Sequence, residues 1–344
     1  MRTVLITGVT GLVGRRLAEQ LVAAPDIQVR GLARQPAKAA DLAAVGVEIM
    51  AGDVTDPPSL AAACAGCDWV FHCAAFVEEG GDRAAIWAVN VEGTRHILHA
   101  AQQAGVQRFI HVSTCAVYGS VQSLDIDETM PIRRRGNLYA DSKVEAEEVV
   151  QAFATGFSPG VATDSTTDPE NRMETVIARP SQVYGPRSYQ FTVRPIEAIR
   201  SGKMILVDGG KHWCKPVYID NLVEGLIACA RVPAAAGQAF NLTDGVTVPW
   251  HTFFGAYARM LDKPRLPSVP YPLAWVAARW FEWQAQRTGK KALITRAALA
   301  AIRSRNSFSI EKAHRILGWT PRLDLEAGMA RTQAWLAAEG YLSK

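Results

Sequence analysis

The sequence predicts an α/β fold in which a doubly wound parallel sheet is followed by a smaller, mostly helical C-terminal domain. Short apolar segments alternate with segments of helical periodicity through the first half of the chain, a pattern typical of parallel strands joined by right-handed crossovers. A glycine-rich turn directly follows the first apolar segment. After about residue 185 the alternation weakens, so we expect the later chain to return to the sheet only once or twice.

The elements follow from these patterns in chain order. Residues 4–6 form a short buried strand, Gly8 to Gly14 a turn, and residues 12–23 a helix. Residues 89–104 also have helical periodicity, whereas residues 155–174 have none and are rich in Gly, Pro, Ser, Thr and Asp, which predicts an exposed loop. The further predicted strands are 27–33, 47–50, 69–72, 109–112, 176–179, 217–219 and 239–242.

The composition favours an ordinary globular protein. The chain has 344 residues, 49% of them hydrophobic and 20% charged, so it is long enough for one large or two smaller domains and is too apolar to be disordered. Its formal net charge is +4, without a long basic tract or nucleic-acid-binding motif. We therefore expect no nucleic-acid partner.

The cysteines and the N-terminus favour a cytoplasmic protein. Cys64 and Cys67 form a CxxC pair, but no second pair completes a zinc site, so no metal is predicted. Cys73 and Cys115 fall in apolar segments, as small buried side chains do. The start of the sequence runs straight into a strand rather than a secretory signal, and no apolar run reaches the roughly 20 residues of a spanning helix.

The turn Thr7-Gly8-Val-Thr-Gly11-Leu-Val-Gly14 has the spacing of a dinucleotide-binding loop. Its glycines permit a tight turn and let backbone amides approach a pyrophosphate at the N-terminus of the following helix. An ordinary glycine-rich turn between a strand and a helix is the alternative.

Arg34 bears on which dinucleotide is used. The second strand ends at Ala33-Arg34, where an acidic residue would bind the adenosine ribose hydroxyls, and no acidic residue stands there. A guanidinium suits a 2′-phosphate, which favours NADP(H). An Arg34 that is solvated or stacked on adenine would leave NAD(H) possible.

Tyr139 and Lys143 are the candidate acid–base pair. They are four residues apart, so a helix places both on one face. An ammonium beside a phenol lowers the tyrosine pKa from its usual value near 10, and such a tyrosine exchanges a proton with an alcohol oxygen near neutral pH. Taken alone, this spacing also fits a chance pair on a helix surface.

The motifs taken together resemble the extended short-chain dehydrogenase/reductase family almost from end to end. The resemblance implies the Rossmann fold, catalysis of hydride transfer at a carbon that bears oxygen, and frequent dimerisation through helices that flank the active site. It rests on the glycine loop, Asp53, Cys73-Ala-Ala where the family has Asn-Ala-Ala, Asn90 in Val-Asn-Val-Glu-Gly-Thr, Ser113-Thr114 before Ala-Val-Tyr-Gly, Tyr139 with Lys143, and Arg179-Pro-Ser-Gln-Val-Tyr-Gly-Pro186.

The resemblance assigns roles to individual residues. Tyr139 is the acid or base, Thr114 shares the substrate oxygen with it, and Lys143 holds the nicotinamide ribose. Residues 1–184, with about 216–245, would bind the cofactor, and residues 185–215 and 246–344 the substrate. The cofactor-binding residues it implies are Gly8, Thr10, Gly11, Leu12, Val13, Gly14, Arg34, Asp53, Val54, Cys73, Ala74, Ala75, Tyr139, Lys143, Pro180 and Val183.

Two departures weigh against a sugar nucleotide as the substrate. Gln182 stands where the nucleotide-sugar epimerases and dehydratases usually have Asn, and Cys214-Lys215-Pro216 stands where they usually have Arg-Asp. Lys211, His212 and Lys215 leave phosphate binding open. The C-terminal half instead resembles the 3β-hydroxysteroid dehydrogenase branch, in the stretches 217–222, 237–243 and 308–321.

Three further features have alternative interpretations. Residues 270–283, with three tryptophans and the basic residues up to 291, can lie at a membrane interface, roof an apolar pocket, or form a core helix. Arg133-Arg134-Arg135 can attract an acidic substrate or be a solvated loop. Asp220 is a helix N-cap rather than a catalytic group.

The leading hypothesis is therefore an NAD(P)-dependent oxidoreductase that interconverts a secondary alcohol and a ketone on a large apolar substrate. A sterol 3β-hydroxyl is the first candidate, with loss of carbon dioxide if the sterol carries a 4-carboxylate. A nucleotide-sugar epimerase, dehydratase or reductase is the alternative. A non-catalytic dinucleotide-binding regulator is disfavoured because Tyr139 and Lys143 are both present.

Overall fold

A seven-stranded parallel sheet forms the centre of the protein. The structure is a computed structural model that describes residues 1–77, 82–155, 173–289, 292 and 294–343. The strands of the sheet are β1 (Arg2–Thr7), β2 (Ile27–Ala33), β3 (Glu48–Ala51), β4 (Trp69–His72), β5 (Arg108–Val112), β6 (Glu174–Pro180) and β11 (Ala239–Leu242), in the order β11-β6-β5-β4-β1-β2-β3. The other strands of the described residues form three two-stranded sheets. These pair β7 (Gln182–Tyr184) with β10 (Pro216–Tyr218), β8 (Leu206–Val207) with β13 (Ser268–Val269), and β9 (Trp213–Cys214) with β12 (Val248–Pro249).

Helices cover both faces of the sheet. One apolar core lies on the side of α1 and α8, and the other lies under α3, α5 and α6. The α-helices are α1 (Leu12–Leu21), α2 (Ala40–Ala44), α3 (Pro57–Cys64), α4 (Arg83–Trp87), α5 (Gly93–Gln103), α6 (Leu138–Thr155), α7 (Arg194–Arg200), α8 (Ile219–Arg231), α9 (Trp250–Met260), α10 (Tyr271–Thr288), α11 (Arg296–Ile302), α12 (Glu311–Leu317) and α13 (Leu325–Ala338).

The predicted fold class is confirmed, and most strand positions agree within two residues. The predicted bounds of β2, β4 and β11 are those of the structure. The segment 217–219 differs, because β10 pairs with β7 outside the main sheet and Ile219 already begins α8. The predicted loop 155–174 lies mostly outside the described residues, although Thr155 belongs to α6 and Glu174 to β6.

The sheet brings distant parts of the chain to one edge. All seven strands are parallel, so the segments that follow them emerge together at the carboxyl edge. The strand order reverses between β1 and β4, and ligands of such sheets bind at this kind of switch point. Within the described residues, no helix is long and apolar enough to cross a membrane.

Candidate active site

The glycine loop is packed too closely for side chains. Gly8 has a φ of +67°, and a Cβ there would lie 2.8 Å from the backbone nitrogen and Cα of Ala74. A Cβ on Gly14 would collide with the carbonyl oxygen of Gly8. Gly11 is the N-cap of α1 and supplies no side chain to cap it, so the first-turn amides of α1 are open to an anion. The loop therefore fits the pyrophosphate of a dinucleotide.

The predicted cofactor residues beyond the loop follow other strands at the same edge. Arg34 is exposed directly after β2. Asp53 follows β3, where its carboxylate accepts the Thr55 N–H at 2.9 Å and the Ser59 hydroxyl holds its backbone. Buried Val54 packs under Gly93, where a Cβ would lie 2.8 Å from it.

Further predicted cofactor residues follow β4 and β6. Cys73, Ala74 and Ala75 are partly buried after β4, and the Ala74 N–H donates to the Thr7 hydroxyl at 3.2 Å. Thr10, Leu12 and Val13 lie in the glycine loop or the first turn of α1, while Pro180 ends β6 and Val183 lies in β7.

Local hydrogen bonds fix where α6 begins and hence where Tyr139 lies. The Asn137 side chain accepts the Ala140 N–H at 2.9 Å, as an N-cap does. The Asp141 carboxylate accepts the N–H groups of Arg135 and Gly136 at 2.7 and 2.9 Å, which fixes the incoming loop. Tyr139 is thus held in the first turn of α6.

Thr114 and Tyr139 meet at the carboxyl end of β5. Thr114 follows Ser113 beyond β5, and its side chain is hydrogen-bonded to the Tyr139 phenol. Two hydroxyl groups from different elements therefore face one place, where a substrate oxygen can accept hydrogen bonds from both.

The expectation that Lys143 lowers the tyrosine pKa is wrong for this structure. Burial raises the pKa of Tyr139 to about 12, the Thr114 hydrogen bond opposes the rise, and Lys143 makes no contribution. The reason is the direction of the lysine, whose ammonium donates to the Val112 carbonyl at 2.8 Å and lies 3.3 Å from Nε2 of His111. At neutral pH the Tyr139 phenol is protonated, so it is a proton donor.

Lys143 lies over a buried pair of histidines. Only 1% of the lysine is exposed, and burial lowers its pKa to about 8 while the carboxylate of Glu147 raises it. Burial also lowers the pKa of His72 to about 3 and that of His111 well below its usual value, so both rings are neutral near pH 7. His72 lies between the Thr7 and Thr94 hydroxyls at 2.8 and 3.0 Å. The sequence analysis did not single out these histidines.

A buried ion pair joins the elements that carry the candidate catalytic residues. The Glu147 carboxylate, fully buried one turn after Lys143, accepts the Ser113 hydroxyl at 2.5 Å and pairs with the guanidinium of Arg179 at 2.5 Å. Arg179 also donates to the Tyr118 hydroxyl at 2.8 Å. Glu147 is absent from the predicted site, although its i+4 spacing from Lys143 is a signal that was available.

Asn90 fixes the site from the opposite side. Its side chain accepts the Phe76 N–H at 2.7 Å and donates to the Ser142 hydroxyl at 2.9 Å. The Ser142 hydroxyl in turn donates to the Tyr139 carbonyl at 2.7 Å. The amide therefore ties the chain after β4 to the first turn of α6.

The three candidate phosphate ligands have different surroundings. Lys211 is exposed, and His212 lies 3.1 Å from the carboxylate of Asp208. Lys215 is buried, and its backbone N–H donates to the side chain of Gln182 at 3.0 Å. Of the three, Lys215 lines a cavity that is also lined by Trp213 and Phe308.

Two of the remaining expectations now have structural outcomes. Asp220 is not an N-cap, because α8 is capped at Tyr218; its carboxylate instead accepts from Arg16 at 2.6 Å and from Arg331 at 3.4 Å. The exposed loop 133–135 favours the solvated interpretation, since Arg134 pairs with Glu148 on α6.

The helix α10 is only partly a core helix. Its alanines at 274 and 278 are buried, whereas Leu273, Val276, Trp280 and Trp283 form an apolar face that is 47–63% exposed.

Comparison with known proteins identifies a family and several relatives. The model of the "NAD dependent epimerase/dehydratase family" matches residues 4–243. A ketoreductase of a farnesylated dihydroquinoline oxide from Stigmatella aurantiaca is 32% identical over 99% of both chains. A 3-beta-hydroxysteroid dehydrogenase from Mycolicibacterium neoaurum is 31% identical over 95% of this chain and 89% of its own length. The crystal structure of gox2253 is similar over 99% of both chains, with 27% identity and a TM-score of 0.77.

Proposed function

The chain belongs to the NAD dependent epimerase/dehydratase family and is an oxidoreductase, and we propose that it interconverts a secondary alcohol and a ketone on a large apolar substrate. The observation that carries the proposal is the pair of hydroxyls on Thr114 and Tyr139, which face one place at the carboxyl edge with Lys143 behind them. A sterol with oxygen at the 3-position is the first candidate substrate.

The mechanism uses Tyr139 as the acid for ketone reduction. The nicotinamide, when bound, supplies the hydride. As negative charge develops on the substrate oxygen, Thr114 donates a hydrogen bond and Tyr139 donates its proton, which its raised pKa keeps in place at neutral pH. Lys143, charged below about pH 8, would hold the nicotinamide ribose.

The fit of a dinucleotide is supported by the close packing of Gly8 and Gly14. We propose that residues 1–184, with about 216–245, bind the cofactor and that residues 185–215 and 246–344 bind the substrate.

Because Arg34 is exposed after β2 and no carboxylate accompanies it there, we propose a preference for NADP(H). Arg34→Ala should weaken binding of NADPH at least tenfold more than that of NADH; equal effects on both cofactors would contradict the assignment.

A substrate panel tests the proposed reaction. The purified enzyme is assayed with NADPH and NADH against 3-oxosteroids, sterols with NADP⁺ or NAD⁺, and UDP-sugars. Wild type should act on the steroid or sterol, and Tyr139→Phe should lose about 10²–10⁴ in kcat while it still binds the cofactor. The exposed Tyr189, changed to Phe, is the matched control. Turnover of UDP-sugars alone would instead establish the sugar-nucleotide alternative.

The exposed face of α10 supports peripheral contact with a membrane. Trp280 and Trp283 lie on it, and Arg279 and Arg287 on the same helix can meet anionic lipid. We propose that this face rests on an anionic bilayer. Co-flotation with phosphatidylglycerol vesicles should fall at least tenfold in Trp280→Ser and should not change in Val45→Ser, an exposed apolar residue elsewhere. Absence of co-flotation at low salt would refute the proposal.

Two further proposals concern the location and the oligomeric state of the protein. We propose a cytoplasmic location, in keeping with six unpaired cysteines. We also propose a homodimer formed through the helices that flank the active site, including α6. Sedimentation of the purified chain at a monomer mass would contradict the dimer.

A further inference from the structure

A cavity with one buried cation lies at the carboxyl edge of the sheet. Its volume is about 240 Å³, and Trp213, Phe308 and Leu124 contribute apolar walls. Lys215 lines it, and Thr243 places it directly after β11. The volume is below the roughly 300 Å³ of a pocket for a drug-sized ligand, so the cavity is the size of a subsite that holds one end of a larger molecule.

Lys215 has unused hydrogen-bonding capacity. The residue is 4% exposed, and its ammonium donates one hydrogen bond, at 3.3 Å, to the Trp213 carbonyl. An ammonium has three donors, so two remain. Among the residues that the structure describes, no carboxylate lies within ion-pair distance of it. Burial lowers the pKa of Lys215 to about 8, so it is mainly charged at neutral pH. A buried cation without a counterion is costly, and a ligand anion would offset that cost.

The lysine is connected to the reacting centre through short contacts. Its backbone N–H donates to Gln182 at 3.0 Å, two residues after Pro180. Burial raises the pKa of the Cys115 thiol, and the Lys215 ammonium lies close enough to oppose that rise; Cys115 is the residue after Thr114. The Cys115 thiol donates to the Arg179 carbonyl at 3.1 Å. Thr114 follows β5 and the cavity follows β11, so both lie at the carboxyl edge of the sheet, where one elongated substrate can contact them together.

The charges at the cavity suit a single negative charge. Asp125 lines the rim, where the Ser307 hydroxyl donates to its carboxylate at 2.9 Å, and it opposes the charge of Lys215. Lys211 is exposed, and His212 is occupied by Asp208. A diphosphate would bring about two charges to one lysine and one aspartate. A carboxylate brings one charge, and the apolar walls accept the carbon chain beside it.

We propose that Lys215 binds a carboxylate on the substrate, so that the protein acts on an apolar keto acid or the corresponding hydroxy acid. This inference rests on the proposed alcohol–ketone chemistry and adds the acidic group to it. A 4-carboxysterol and a long-chain 3-oxo acid both meet the requirement.

Binding of a non-reactive acid tests the subsite without turnover. Decanoate and 1-decanol are titrated calorimetrically into the full chain at pH 7. Wild type should bind the acid at least tenfold more tightly, and the advantage should disappear above about pH 9 as Lys215 loses its proton. Equal affinities of wild type for the two compounds at pH 7 would overturn the proposal, whether or not any variant folds.

Variants then assign the effect to one lysine. Lys215→Met should weaken decanoate binding about 10–150-fold, the range of a hydrogen bond to a charged group, and Lys215→Arg should restore most of it. Lys211→Met, an exposed lysine of the same segment, should change it less than twofold. Equal losses in the two methionine variants would overturn the assignment. So would a loss of UDP-glucose binding in Lys215→Met with decanoate binding intact.

Turnover separates this inference from the proposed function. The ratio of kcat/KM for 3-oxodecanoate to that for its methyl ester should fall at least tenfold in Lys215→Met and stay constant in Lys211→Met. If no ketone is reduced but decanoate binding depends on Lys215, the subsite holds and the reaction is wrong. If both acid and ester are reduced with an unchanged ratio in Lys215→Met, the reaction holds and the subsite is wrong.

Discussion

Removal of the charge on Glu147 should destabilise the protein more than any comparable change on α6. Glu147 is completely buried, and its partner Arg179 is 4% exposed. Glu147→Gln keeps the shape of the side chain but leaves the guanidinium without its counterion. Breaking a buried pair in this way costs about 3–5 kcal/mol. For a chain of 344 residues, at about 1.4 °C per kcal/mol, the melting temperature should fall by at least about 4 °C.

Chemical denaturation with a matched control measures this cost. Glu148 is the next residue on α6, is 53% exposed and pairs with Arg134 at the surface. Glu148→Gln should therefore change the free energy of unfolding by about 0–1 kcal/mol. If Glu147→Gln and Glu148→Gln unfold within about 1 kcal/mol of each other, the buried pair does not have the role assigned to it.

The same variant should also shift the pH dependence of catalysis. The carboxylate of Glu147 raises the pKa of Lys143, which burial has lowered to about 8. Without that carboxylate the lysine loses its proton at a lower pH, so the alkaline limb of kcat/KM for a neutral ketone should move to lower pH. If Glu147 had a purely structural role, Glu147→Gln would lower the stability of the protein but leave the alkaline limb of kcat/KM at the same pH.

Three further outcomes are expected. In wild type, kcat/KM for a neutral ketone should decline above about pH 8, because Lys143 loses its charge there; a profile flat to pH 10 would show that the ammonium is not needed. Gly14→Ala should abolish measurable cofactor binding in a fluorescence titration, because its Cβ meets the Gly8 carbonyl. Gly255→Ala in α9, where the Cβ would make only ordinary contact with the Arg259 side chain, should bind the cofactor normally and gain up to about 1 kcal/mol of stability. Thr114→Val should lower kcat about 10²–10³-fold with cofactor affinity retained, as loss of an oxyanion donor does, and near-normal turnover would remove Thr114 from the mechanism.

Local pattern was sufficient for the sheet and for the positions of the candidate site residues. Segments of four to seven mostly apolar residues predicted β2, β4 and β11 with their bounds, because buried parallel strands are largely apolar on both faces. The glycine loop was also predicted from the sequence, because a tight turn against Ala74 tolerates no Cβ and so requires glycine. Asp220 shows the limit of local reasoning, since its partners Arg16 and Arg331 are more than a hundred residues away in opposite directions.

The sequence by itself determined the fold class, the loop for the dinucleotide and the pairing of Tyr139 with Lys143 on one helix, because each depends on spacing along the chain. Only the tertiary structure decided the state of these groups. The ammonium of Lys143 donates to Val112, the phenol of Tyr139 has a raised pKa, and Lys215 lies buried beside Gln182. Burial and electrostatic interaction act through space, and their magnitude is set by residues that the chain brings together only when it folds.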